Sequence, residues 1–141
     1  MISVVDRLSG DGTFGALLAR IRASTPGDGR PAGGEYAADG LWGSFAPILA
    51  ATAAGALRRP LLYVTAHLEQ ADEVRDDIEL FCGVTPELLS AFETLPGEGT
   101  ASDEIAAERI RLCARMRSLA SGPPPAPGWV VVAPIQALLQ D

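Results

Sequence analysis

The stretch Ala38-Asp39-Gly40-Leu41-Trp42-Gly43-Ser44-Phe45-Ala46-Pro47 has the layout of a phosphate-binding loop: a short strand, a glycine-bearing turn, then an alanine-rich helix. Phosphate chemistry there would need the pattern G-x-x-x-x-G-K-[ST], with the lysine on the β/γ-phosphates and the hydroxyl on Mg²⁺. With Gly40 as the first glycine, the second falls on Phe45, the lysine on Ala46 and the hydroxyl on Pro47. Phenylalanine blocks close approach of the backbone, alanine brings no charge, and proline removes an N–H that would have pointed at phosphate. The chain contains no lysine at all. Gly40, Trp42, Gly43, Phe45, Ala46 and Pro47 are therefore read as a degenerate P-loop that holds no nucleotide. Trp42 replaces a small residue in a tight loop. It either plugs the vacated phosphate site or makes an exposed contact for another domain.

The remaining chemistry-bearing residues have structural readings. His67 is the sole histidine, at a strand-to-helix junction on the edge where α/β folds place ligands. No Ser or Cys nucleophile with a partner acid is indicated beside it, so a structural or solvated role is expected. Glu93, Asp103, Glu104 and Glu108 could form paired carboxylates for acid–base or metal chemistry, but Asp103 and Glu104 already fit the first turn of a helix. Arg109, Arg111, Arg115 and Arg117 could touch phosphate or an acidic partner; Glu104 and Glu108, one turn away, offer them i,i+3 and i,i+4 partners on a solvated face. Cys82 and Cys113 lack C-x-x-C spacing and are expected as small hydrophobes at buried helix ends. No catalytic residue, metal site or resident cofactor is expected.

The elements that position these residues alternate. Phe14, Leu17, Leu18 and Ile21 recur at helical spacing, with Arg20 and Arg22 in the last turn, and residues 25–34 have the composition of a linker. The division expected is an N-terminal helix and linker over 1–34 and an α/β domain over 35–141. In the second, Tyr36–Leu41 is a weak strand, Ser44 caps a helix through Leu57 and Leu61–Thr65 is a parallel-type strand. His67–Cys82 is an amphipathic helix with Leu68, Ala71, Val74, Ile78 and Phe81 inward, stopped by Gly83. Val84–Ser90 reads as turn, Ala91–Pro96 as a short strand, and Ser102 as the cap of a helix with Ile105, Leu112, Cys113, Met116 and Leu119 inward. Residues 121–128 form a proline-rich loop, Trp129–Pro134 is the strongest strand, and Ile135–Gln140 begins another helix. The expected fold class is α/β: a three-layer parallel sheet with helices on both faces, a degenerate P-loop NTPase (helicase-like) domain preceded by an N-terminal helix.

With 141 residues, the chain fits one domain and its own core. A net charge of −7 argues against gripping DNA by a general basic surface. No apolar run approaches the ~20 residues of a membrane helix, and no signal peptide is evident, so a reducing, cytoplasmic setting is expected.

Four segments in order resemble the first α/β domain of the bacterial transcription-repair coupling factor (Mfd) and, more distantly, the corresponding domain of the excinuclease protein UvrB. They are Gly40–Pro47; Arg59-Pro60-Leu61-Leu62-Tyr63-Val64-Thr65 through Phe81; Phe92-Glu93-Thr94-Leu95-Pro96 with Asp103-Glu104-Ile105-Ala106-Ala107-Glu108-Arg109; and Val130–Gln140. The E-T-L-P and D-E-I-x-x-E-R motifs and the V-V-x-P-x-x-A-L-L-Q ending are moderately specific together and weak singly, and the four segments span the last hundred or so residues. The resemblance implies a UvrB-like module without an ATPase loop, in a longer protein. There, an ATP- and Mg²⁺-dependent translocase motor displaces stalled RNA polymerase, and an inserted domain following this region recruits UvrA for nucleotide excision repair. The segment ending at Asp141 would then be an N-terminal fragment, its sheet incomplete at the C-terminus, with apolar surface uncovered near Val130–Val132. The alternatives are a nucleotide-binding helicase or ATPase half-domain with an unusual loop, or a stand-alone regulatory α/β domain.

Overall fold

The structure is a computed structural model that describes residues 3–24, 34–92, 103–119 and 128–140. The expected linker over 25–33, the cap at Ser102, residues 93–96 and most of the proline-rich loop fall outside them.

The elements in chain order are α1 (Val4–Ser9), α2 (Gly12–Ala23), α3 (Phe45–Leu57), β1 (Leu61–Thr65), α4 (Leu68–Cys82), β2 (Glu87–Leu88), α5 (Asp103–Leu119), β3 (Val130–Pro134) and α6 (Ile135–Leu138). The strands form a small open sheet in the order β1-β3-β2, parallel throughout, with Leu61 opposite Val130 and Glu87 opposite Val131. The chain is thus mixed α/β.

The β3 strand lies at the centre because it is apolar at every position and can be covered on both faces. All five of its residues are buried. Val130 and Val132 turn to one side, where they pack with Ala51 of α3 and with Ala71 and Ile78 of α4. Val131 and Ala133 turn to the other, joining Leu112 of α5, Ala137 of α6, Leu89, Ala91 and Trp129. The expectation of uncovered surface at Val130–Val132 is therefore overturned, since these residues are 0–2% exposed. Within the sheet, the exposed apolar side chains lie instead on the outer strand β1, at Leu62 and Val64, each 43% exposed.

The N-terminal region folds as two helices, where one was expected. Ser3 and Asp6 form a reciprocal capping box at α1, and Asp11 accepts from the Phe14 N–H at 2.9 Å to cap α2. Six residues are too few for the periodicity of α1 to register in sequence. Leu8, Phe14 and Leu18 pack on Leu49, Ala53 and Leu57 of α3, so these helices are fastened to the body by apolar burial.

Other boundaries also differ from expectation. Residues 36–41 form no strand. Tyr36 is tied instead to α2, its hydroxyl donating to the Arg20 carbonyl at 3.1 Å and pairing with the Ser24 hydroxyl. The second strand lies at Glu87–Leu88, inside the segment read as turn, and Leu89 N–H extends the ladder to Val132 O at 2.9 Å. Ala91 and Phe92 follow it outside the ladder. Ser44 makes no side-chain cap, because it already has helical dihedrals (φ −65°, ψ −6°), whereas an N-cap serine needs extended backbone. Gly83 does stop α4 in the left-handed region, at φ 66°. Ala71 and Ile78 of α4 are fully buried, while Leu68 and Phe81, at the helix ends, stay 37% and 39% exposed.

Candidate functional site

The turn before α3 is built on two glycines with positive φ, Gly40 at 74° and Gly43 at 53°. A hydrogen bond from Phe45 N–H to Trp42 O at 3.2 Å closes it. Trp42 projects into solvent, 86% exposed. It plugs nothing, and of its two expected roles only the exposed contact fits. Ala46 is half-buried, Pro47 is buried and Phe45 is 39% exposed.

Beside this turn, where the carboxyl end of β1 meets the start of α3, lies a cavity of about 280 Å³. Gly43 and Pro47 form one wall, Tyr63–Ala66 another, and Gln70, Glu73, Val74 and Asp77 of α4 the third. In a nucleotide site this is where cations would converge. Here the charged lining groups are carboxylates, and neither Glu73 nor Asp77 has a hydrogen bond or ion pair among the described residues. Opposing a phosphate with like charge is repulsive, and Pro47 withdraws an N–H from the first turn of α3. The cavity is suited to a cationic or neutral polar group.

His67 sits at the N-cap of α4, exposed, with no side-chain cap bond. Its main chain is engaged, since the Thr65 hydroxyl donates to His67 O at 2.9 Å. Among the described residues, no acid or nucleophile is hydrogen-bonded to its imidazole. A larger apolar cavity of about 740 Å³ is lined by α1, α2, residues 37–41 and α3, with Leu8, Phe14, Leu17, Leu41, Phe45 and Leu49 among its walls. Nothing in the residue pattern announced it, because it depends on α1.

The arginines on α5 do not form the expected pairs with Glu104 and Glu108. Arg109 points inward and donates to the carbonyls of Ser90 at 2.6 Å, Ala137 at 3.0 Å and Gln140 at 3.2 Å. The Gln140 side chain reciprocates across the same junction, accepting from Phe92 N–H at 2.8 Å and donating to Phe92 O at 3.1 Å. Arg115 pairs with Glu87 and lies 4.8 Å over the Trp129 ring, whose Nε1–H donates to Glu87 Oε1 at 2.7 Å. The reason is placement: α5 lies across β2 and β3, so long side chains on its inner flank meet orphan carbonyls and an indole before they meet their own helix neighbours. Arg111 and Arg117 remain exposed. Asp103 and Glu104 occupy the first turn of α5, and Glu93 lies outside the described residues. Among the described residues, no cluster of His, Cys, Asp or Glu is arranged to hold a metal ion.

Cys113 is exposed, contrary to its expected burial, because α5 turns Leu112 to the sheet instead. Cys82 is half-buried beneath α3, and burial raises its thiol pKa, an effect partly offset by the Thr52 hydroxyl. Burial likewise raises the pKa of the Tyr63 phenol. Among the described residues, no helix is long and apolar enough to cross a membrane. No family model, curated protein or solved structure matches the chain.

Proposed function

We infer that this chain is a non-catalytic, UvrB-like scaffold and interaction domain of a transcription-repair coupling factor, acting in the cytoplasm. The observation that carries the non-catalytic reading is the turn at Gly40–Pro47: it offers no cation to phosphate, and the cavity beside it is lined by Glu73 and Asp77. The likeness of the four sequence segments to the coupling factor carries the assignment to transcription-coupled repair. On this reading the degenerate P-loop survives as a folding element that positions α3. ATP, Mg²⁺, RNA polymerase and UvrA are engaged by other parts of the full protein, and DNA is not held strongly by this acidic domain.

Strand-specific repair after ultraviolet damage tests the assignment. Cells lacking the gene should repair the transcribed strand no faster than the other strand, and restoring the intact gene should restore the bias. An unchanged bias in the deletion strain would remove the role in transcription-coupled repair.

A further inference from the structure

The outer edge of β1 is unpaired among the described residues, since β1 ends the sheet. Leu61 N–H donates to Trp129 O at 2.9 Å. In a parallel ladder alternate residues face the same neighbour, so Leu61, Tyr63 and Thr65 direct their main-chain groups at β3. The N–H and C=O groups of Leu62 and Val64 therefore point outward. Native sheets usually blunt such edges with a lysine, an internal proline or a bulge. Leu61–Thr65 has none of these, and its register with β3 is unbroken.

The two sides of this edge differ in chemistry. On the α5 side, Leu62 and Val64 stand beside Val131 and Ala133, beyond the cover of α5, each 43% exposed. On the α3/α4 side, Tyr63 and Thr65 floor the cavity that holds the carboxylates of Glu73 and Asp77. A strand laid along β1 would alternate its side chains between these two surfaces.

We propose that the β1 edge is a strand-addition site for an extended partner segment that alternates apolar and basic side chains. The partner's main chain pairs with Leu62 and Val64. Its apolar residues cover those two side chains, and its lysines or arginines reach Glu73 and Asp77. The β1 edge, the exposed apolar pair and the two carboxylates, which lack partners among the described residues, are thereby satisfied by one ligand, and the net charge of −7 favours its approach.

The test uses the full chain and short soluble peptides, with amide exchange and chemical shifts read by NMR. A peptide alternating valine and lysine should bind saturably and slow exchange at the Leu62 and Val64 amides by about tenfold or more. A matched valine–glutamate peptide should bind about fivefold more weakly or worse, a modest ratio because the carboxylates are partly solvated. The double variant Glu73→Lys, Asp77→Lys should reverse that order. Val64→Pro, which removes one outward N–H, should abolish binding with the circular dichroism spectrum retained. If that variant unfolds, the charge-reversed pair decides the matter. Equal binding of both peptides would overturn the proposal, as would binding that leaves the two amides untouched. So would concentration-dependent protection of those amides in the free chain, which would assign the edge to a second copy.

Discussion

The guanidinium carbon of Arg109 lies 4.5 Å from the centroid of the Phe92 ring, and the same group binds the carbonyls of Ser90, Ala137 and Gln140. One side chain thus fastens the segment after β2 to the end of α6, two regions far apart in sequence. A planar fork can serve several acceptors while stacking on a ring; a lysine ammonium cannot do both.

Arg109→Lys should therefore destabilise the chain by about 2–3 kcal/mol, the scale of losing charge-assisted hydrogen bonds to partly buried carbonyls. Urea unfolding checks this, and a loss below about 0.5 kcal/mol would show that water replaces the guanidinium without cost.

The two helix ends flanking β1 and α4 make opposite predictions. Gly83 ends α4 at φ 66° with open space where a Cβ would go, so Gly83→Ala should cost about 1 kcal/mol from backbone conformation alone. Arg58 ends α3 at φ 53° without being glycine, and Arg58→Gly should stabilise by about 0.5–1 kcal/mol. Thermal melts of the two variants should move in opposite directions; movement of both the same way would contradict the capping account.

Cys113 should react with a maleimide in the folded chain well before Cys82, whose thiol is half-buried and held protonated. Mass spectrometry of the singly labelled product reads the order directly, and preferential labelling of Cys82 would contradict it.

Burial raises the pKa of both Cys82 and Tyr63 in the folded state. The folded chain therefore holds these protons more tightly than the unfolded chain. Their contribution to stability is complete below the ordinary thiol and phenol values and is lost as pH rises through the raised ones. Stability should fall on the alkaline side, from the ordinary thiol range upward. Cys82→Ala should flatten the earlier part of that fall, and an unchanged alkaline profile in that variant would remove Cys82 from the account.

The sequence made the strong elements legible. Five consecutive apolar residues marked β3, the amphipathic run with its glycine stop marked α4, and alanine richness marked the buried α3. It misled where a residue's partner is remote. Tyr36 read as strand because its contact with α2 is invisible locally, and Glu87–Leu88 read as turn because the two-residue pairing has no periodicity to show. Arg109 and Arg115 read as partners of Glu104 and Glu108 because helix neighbours can be inferred from spacing, whereas orphan carbonyls and the Trp129 indole cannot. At the turn, the missing lysine was plain, but the direction of Trp42 and the approach of Glu73 and Asp77 required the packing of α4.

The claim that the Gly40–Pro47 turn is no nucleotide site is tested most directly by titrating the chain with ATP and Mg²⁺. Binding is followed by heat and by the fluorescence of Trp42, which is 86% exposed beside the turn. No saturable signal is expected up to millimolar nucleotide. Saturable, Mg²⁺-dependent binding that is lost on Gly43→Val would contradict it and return the turn to nucleotide chemistry.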